Sequence, residues 1–198
     1  HPSKGEYITV GDDQTLRIWD VATRTMIRMA KLDSVCRVVD YSPDGTLILV
    51  VLGGEDVPDP FNKNGSFVIL NEGDLSLLHE ARDTILPILD GKFSPDGQTL
   101  ALAGADKTIY LYAPEEEFEI IARCRRHDAP VEHIDFSDDG EWLQSNCREG
   151  ELLFFNTDKG ASQSDISAMK DIPWYTQNCT LGWPVRGIHP AAYDARKC

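Results

Sequence analysis

The sequence predicts an all-β protein, a partial β-propeller of about four four-stranded antiparallel blades, the first of them incomplete. One observation is a recurring turn signal, Ser42-Pro43-Asp44-Gly45, Ser94-Pro95-Asp96-Gly97 and Ser137-Asp138-Asp139-Gly140. Proline presets φ for a type I turn and glycine closes it, so each copy marks a tight reversal. A second observation is that apolar runs of strand length follow these turns, such as Leu100–Ala103 and Ile109–Tyr112.

The spacing of the turns sets the predicted repeat. With a related opening at His1 to Gly5, the turn glycines stand at positions 5, 45, 97 and 140, so the intervals are 40, 52 and 43 residues. A period of about 40 to 45 residues with four strands is typical of a propeller blade. The longer interval contains residues 53–65, GGEDVPDPFNKNG, whose two prolines predict an extended loop.

These intervals predict blades at about 1–33, 34–82, 83–126 and 127–170, then a connection at 171–190 and a tail at 191–198 leading into a missing blade. The outer strand of the fourth blade is predicted near Ile166 to Met169, and Pro87 is predicted to mark the start of the innermost strand of the third. Closed rings have roughly 4 to 8 blades. We therefore expect the chain to be a piece of a larger ring, with the remainder of that propeller as one partner.

The units resemble WD repeats, which implies a structural hydrogen-bonded tetrad in each blade. The family's Asp lies in a tight turn and its Trp lies six residues later, and this count leads from Asp13 to Trp19. No unit holds a complete tetrad, so we expect apolar packing between blades to provide most of the stability. The structural positions that the resemblance marks are Asp13, Trp19, Asp106, Tyr112, His127, Ser145, Glu149 and Phe155.

From Asp171 the repeat gives way to DIPWYTQNCTLGWPVRGIHP. This stretch resembles the connection between late blades of the echinoderm microtubule-associated protein-like family. The resemblance implies a non-catalytic protein-binding platform of a microtubule-associated protein, with tubulin or microtubules as partner, in the cytoplasm on microtubules or in a cilium. A generic WD-repeat scaffold for another ciliary or signalling complex is the alternative. The residues that carry the likeness are Asp171, Ile172, Trp174, Cys179, Thr180, Leu181, Gly182, Val185, Gly187 and Pro190.

The composition argues against several partners. The 198-residue chain has 19 Lys and Arg against 33 Asp and Glu, a formal net charge of −14. Nucleic acids and anionic membranes are bound chiefly by basic residues, so we predict neither as a partner. The five cysteines are far apart and form no CxxC pair, which favours reduced thiols over a disulfide framework.

No catalytic, cofactor or metal site is predicted. The nearest approach to a metal pair is His127 with His133, which have no recognised ligand spacing. No serine lies in a G-x-S-x-G elbow and no glycine-rich loop opens a helix. A propeller hydrolase with a central active site is therefore the least favoured function.

The basic residues predict a mixed-charge docking face, because charge complementarity and arginine anchors often determine specificity at interfaces. In a WD propeller, the connections before the innermost strand share one face with the turns between the second and third strands. Ordinary surface charges are the alternative interpretation. The predicted protein-binding residues are Arg82, Lys107, Arg125, Arg126 and Arg148, beside the acidic loop residues Glu55, Asp56 and Asp59.

Overall fold

The computed structural model of the chain describes residues 1–54 and 62–182. Within these ranges the chain forms four separate antiparallel sheets, each a simple up-and-down meander. The sheets contain, in order, β1 Glu6–Val10, β2 Thr15–Asp20 and β3 Met26–Lys31; β4 Cys36–Tyr41, β5 Leu47–Leu52, β6 Ser66–Asn71 and β7 Leu77–Arg82; β8 Ile88–Phe93, β9 Leu100–Gly104, β10 Thr108–Ala113 and β11 Glu119–Arg125; β12 Val131–Phe136, β13 Trp142–Cys147 and β14 Leu152–Asn156. This all-β arrangement of three- and four-stranded sheets confirms the predicted partial propeller.

The recurring turn has the same geometry in each of three sheets. In the second sheet Ser42 Oγ accepts a hydrogen bond from the Leu47 backbone N–H at 2.9 Å and donates one to Asp44. Gly45 has a φ of 74°, in the left-handed region that glycine adopts most easily. The same serine, aspartate and glycine arrangement recurs at Ser94, Asp96 and Gly97 and at Ser137, Asp139 and Gly140.

The fourth sheet corrects one prediction. The segment Ile166–Met169 is a short 3-10 helix, not an outer strand, and Asp165 caps its first turn by accepting the Ser167 N–H at 3.0 Å. The chain returns to β14 earlier, because the Gln163 N–H donates to the Phe154 carbonyl at 2.8 Å. The described part of the fourth sheet therefore has three strands.

Apolar packing between neighbouring sheets forms the core. Leu16 and Ile18 of the first sheet pack against Ile48 and Val50 of the second, and all four are fully buried. Similar clusters lie between the second and third sheets and between the third and fourth. The contact is close at Gly91 in β8, where a Cβ would lie 2.8 Å from Leu102 and 2.9 Å from Leu49.

Aspartates on the innermost strands connect the second sheet to the third and the third to the fourth. Asp40 of β4 accepts the Phe93 N–H of β8 at 3.0 Å. Asp90 of β8 accepts the Ile134 N–H of β12 at 2.9 Å. In both bonds the aspartate and its partner lie at similar distances from the ends of their strands. The inner strands β4, β8 and β12 therefore run in the same direction and lie side by side around the centre of the partial propeller.

The segment after the repeats continues this arrangement. Asp135 of β12 accepts the Cys179 N–H at 2.8 Å, as Asp40 and Asp90 accept the N–H groups of a following inner strand. Trp174, one of the residues that carry the family resemblance, stacks on Phe154 with ring centroids 5.8 Å apart. Three other residues that carry the resemblance, Val185, Gly187 and Pro190, lie outside the described residues with the rest of 183–198.

Candidate functional site

The fourth sheet contains a buried polar cluster around His127, which lies in the connection between β11 and β12. His127 Nε2 lies 2.7 Å from Ser145 Oγ, and its ring centroid is 6.1 Å from that of Phe155. The structure thus brings together three of the residues that sequence comparison with WD repeats marked. The carboxylate beside His127 is that of Glu151, whose Oε2 lies 3.3 Å from Nδ1, while Glu149 is an exposed turn residue.

Glu151 Oε2 is also the partner of two further groups. It accepts a hydrogen bond from the Asp128 N–H at 3.1 Å and another from the Cys147 thiol at 3.2 Å. Burial raises the pKa of the Cys147 thiol, and burial lowers the pKa of His127 although Glu151 opposes this. Burial alone would raise the pKa of Glu151, but the hydrogen bonds from Asp128, Cys147 and His127 lower it.

The turn aspartates and the aromatic residues six positions later have separate partners in two other sheets. In the first sheet Asp13 accepts from Thr15 Oγ1 at 2.7 Å, and Trp19 Nε1 donates to Thr9 at 2.9 Å. In the third sheet Asp106 accepts from the Tyr110 hydroxyl at 2.6 Å. The Tyr112 hydroxyl donates to Asp83 at 3.0 Å, an acidic partner that sequence analysis did not single out.

All five predicted basic residues are exposed and lie near one end of the sheets. In an antiparallel meander, the turn between the second and third strands lies at the same end as the close of the fourth strand. Arg82 and Arg125 close β7 and β11, Arg126 follows, and Lys107 and Arg148 lie in the β9–β10 and β13–β14 turns. We call this end of the four sheets the loop face. Binding by these residues stays a prediction, and Glu55, Asp56 and Asp59 lie outside the described residues.

Intramolecular contacts hold several of the basic side chains. Arg148 forms an ion pair with Glu132 at 3.0 Å, and Arg82 Nε donates to the Asn64 carbonyl at 2.9 Å. Arg126 donates to Ser162 Oγ at 3.1 Å. The loop face is therefore a surface of fixed and mixed charges, not a continuous cationic patch.

Exposed apolar side chains lie among these charges. Ile85 is 79% exposed and Leu86 is 43% exposed, in the connection between β7 and β8. They line an open hollow of about 580 Å³ together with Arg82, Asp106 and Tyr110. Pro87 is predicted to mark the start of the innermost strand here, and β8 begins one residue later at Ile88, so Ile85 and Leu86 lie in the connection before it.

No helix in residues 1–54 and 62–182 is long and apolar enough to cross a membrane. Among the same residues, one group of three or more side chains could hold a metal ion: His127, Cys147 and Glu151. Sequence analysis predicted no metal site here. The fold brings the three together across the β13–β14 turn, a juxtaposition that the spacing of the histidines did not indicate.

Comparison with known proteins identifies the family. The chain is 30% identical over 203 residues to the 77 kDa echinoderm microtubule-associated protein of Lytechinus variegatus, with 98% of this chain and 28% of the relative covered. It is 27% identical to human echinoderm microtubule-associated protein-like 3 and 26% identical to human echinoderm microtubule-associated protein-like 1, again over 98% of this chain, and covers 21% and 23% of those relatives.

The chain thus spans about a quarter of the length of these curated relatives. Their names describe microtubule-associated proteins, and none of the three names is that of an enzyme. A family model described as the echinoderm microtubule-associated protein second beta-propeller matches residues 1–198. The chain belongs to that family.

Proposed function

We propose that the chain is a non-catalytic protein-binding platform of a microtubule-associated protein, and that it contacts tubulin or microtubules through the loop face. The observation that carries the proposal is the exposure of Ile85 and Leu86 on that face, in a member of a microtubule-associated family. An exposed apolar patch with polar residues around it often marks a protein-binding site, and a few residues supply most of the free energy of binding at interfaces.

The charge of the chain limits how such contact could work. At a net charge of −14, the chain is not attracted to acidic tubulin by long-range electrostatics. Binding must then rest on short-range contacts, with Ile85 and Leu86 desolvated and Arg125 and Arg126 paired to individual carboxylates. Arg125 and Arg126 are exposed and suited to that role.

Co-sedimentation with microtubules tests this proposal. The double variant Ile85→Ser/Leu86→Ser should weaken binding by at least about tenfold, because it removes the apolar anchors from an exposed loop without touching a sheet. Arg125→Glu/Arg126→Glu should also weaken binding. The matched control is Arg24→Glu/Lys159→Glu, which makes the same charge change in exposed turns at the opposite end of the sheets.

The controls decide between the alternatives. Equal loss in the loop-face and control variants would refute the loop face as the contact. Absence of both pelleting with microtubules and capture of free tubulin by the unaltered protein would favour the generic scaffold.

The names of the relatives refer to microtubules, which favours a cytoplasmic, cytoskeletal location over a specifically ciliary one.

A further inference from the structure

The cluster of His127, Cys147 and Glu151 has the composition of a transition-metal site. The side chain of His127 is fully buried, Cys147 is 4% exposed and the Glu151 side chain is 31% exposed. One ligand atom from each residue lies within 4.8 Å of the other two. The three residues belong to segments fixed by the fold, since Cys147 closes β13, Glu151 precedes β14, and the Cys147 N–H donates to the Glu151 carbonyl at 3.3 Å.

Two of the three spacings between the ligand atoms are close to those around a tetrahedral zinc ion, and the third, from Nδ1 to Sγ, is within 4.8 Å. Zinc lies about 2.0 to 2.3 Å from nitrogen, oxygen and sulfur ligands, so tetrahedral ligands lie roughly 3.3 to 3.7 Å from one another. His127 Nδ1 lies 3.3 Å from Glu151 Oε2, and Cys147 Sγ lies 3.2 Å from the same oxygen. Small side-chain shifts would bring all three atoms into the first coordination shell.

The hydrogen bonds of the cluster leave one contact unexplained. Ser145 Oγ donates to the Leu153 carbonyl at 3.3 Å and so accepts from His127 Nε2, which leaves Nδ1 of the neutral imidazole as an acceptor. Nδ1 then faces a second acceptor, Glu151 Oε2, at 3.3 Å, and two acceptors need a proton or a cation between them. A cation bound by Nδ1, Sγ and Oε2 would supply that positive charge, and the Asp128 N–H would still donate to Oε2.

The second nitrogen of His127 is already held in the orientation that a metal-binding imidazole needs. Nε2 lies 2.7 Å from Ser145 Oγ, and Ser145 is fully buried. With Nε2–H donating to this hydroxyl, Nδ1 carries the free lone pair and faces Cys147 and Glu151. Ligating histidines are usually fixed in this way through their other nitrogen.

We propose that His127, Cys147 and Glu151 bind one Zn²⁺ ion, with water as the fourth ligand on the partly exposed side of Glu151. An imidazole, a thiolate and a carboxylate together suit zinc, whereas magnesium and calcium prefer all-oxygen sites. The thiol proton of Cys147 is released to solvent on binding. The ion would join the β11–β12 connection to the β13–β14 turn beneath the loop face.

Zinc titration of the purified, metal-free protein by calorimetry tests this site, together with absorption spectra after cobalt substitution. We expect about one ion per chain and a thiolate-to-cobalt charge-transfer band in the near ultraviolet. Cys147→Ser and Glu151→Gln should each weaken zinc binding by at least about tenfold. Cys36→Ser is the matched control, because Cys36 is equally buried but lies in β4 of the second sheet.

Two different variants allow the zinc proposal to be tested even if one of them does not fold. Glu151→Gln changes one partly exposed carboxyl group at a turn and preserves its size, so it serves even if Cys147→Ser fails to fold, as judged by circular dichroism. Loss of the charge-transfer band in Cys147→Ser but not in Cys36→Ser would support the site. Failure of the unaltered protein to bind zinc, or zinc affinity unchanged in the folded variants, would overturn it.

Discussion

Replacing Asp40 with asparagine should change how stability depends on pH. Asp40 is partly buried on the innermost strand β4, where it accepts the Phe93 N–H and faces Asp90 and Lys92 of β8. Burial raises its pKa from 3.8 to about 6, although the Phe93 hydrogen bond and Lys92 oppose this. The folded protein therefore holds this proton more tightly than the unfolded chain does.

The sign of the effect follows from that difference. A raised folded-state pKa contributes stability that is fully present below pH 3.8 and is lost as the pH rises through about 6. A shift of about two pKa units corresponds to an upper limit of about 3 kcal/mol, and the partial access of Asp40 to water lowers our expectation to about 1 to 2 kcal/mol. Asparagine keeps the acceptor for Phe93 and removes the titration.

The assay is urea unfolding of the unaltered protein and Asp40→Asn from about pH 3 to about pH 8. Relative to the unaltered protein, Asp40→Asn should gain about 1 to 2 kcal/mol of stability as the pH rises through the window from 3.8 to about 6.

Asp44→Asn, four residues later, is a control of opposite sign. Hydrogen bonds from Ser42 and Thr46 lower the pKa of Asp44, so its contribution is present above pH 3.8 and is lost as the pH falls. A stability difference for Asp40→Asn that does not change across the range, or that changes in the direction of Asp44→Asn, would refute this reasoning.

Three further predictions concern packing, hydrogen bonding and salt. Gly91→Val should lower the free energy of unfolding by about 1 to 3 kcal/mol in urea titrations, because its side chain would overlap two leucines, whereas Gly5→Ala, with no atom within 4 Å of the added Cβ, should change it little. Ser145→Ala should cost about 1 to 3 kcal/mol in the same assay, since it leaves Nε2 of the buried His127 without this partner, and a cost below about 0.5 kcal/mol would contradict the contact at 2.7 Å. Microtubule binding measured by co-sedimentation should weaken only slightly between low and physiological salt, because the acidic chain gains little from long-range attraction, and a steep loss would argue for charge-driven binding.

Local chemistry explains why most of the strands could be predicted. The Ser-Asp-Gly turns fix where each second strand begins, and apolar runs such as Leu47–Leu52 identify buried strands. Where a strand is exposed, the sequence says less. The outer strand β7 begins at Leu77, because Leu75 has a φ of 60° and its N–H donates to the Asn71 carbonyl in the preceding turn.

The polar contacts depend on long-range geometry and were harder to predict. The six-residue spacing of WD repeats, counted back from Phe155, marks Glu149 as the acidic residue of the fourth unit. The carboxylate that contacts His127 is that of Glu151, because residues 148–150 form the turn itself. The bond between Asp83 and Tyr112 spans 29 residues, and the bond from Asp40 to Phe93 spans 53. No periodicity in one sequence reports such pairs, since neither residue differs locally from an ordinary turn or strand residue.

The inner-strand aspartates have a consequence for self-association. An edge strand normally presents backbone N–H groups that can recruit a foreign strand and seed aggregates. At Phe93 and Ile134 those donors are already occupied by carboxylates of the preceding sheet. An intruding strand would have to expel a carboxylate from each of these two positions before it could pair, so the inner edges of the third and fourth sheets are poor templates for fibril growth.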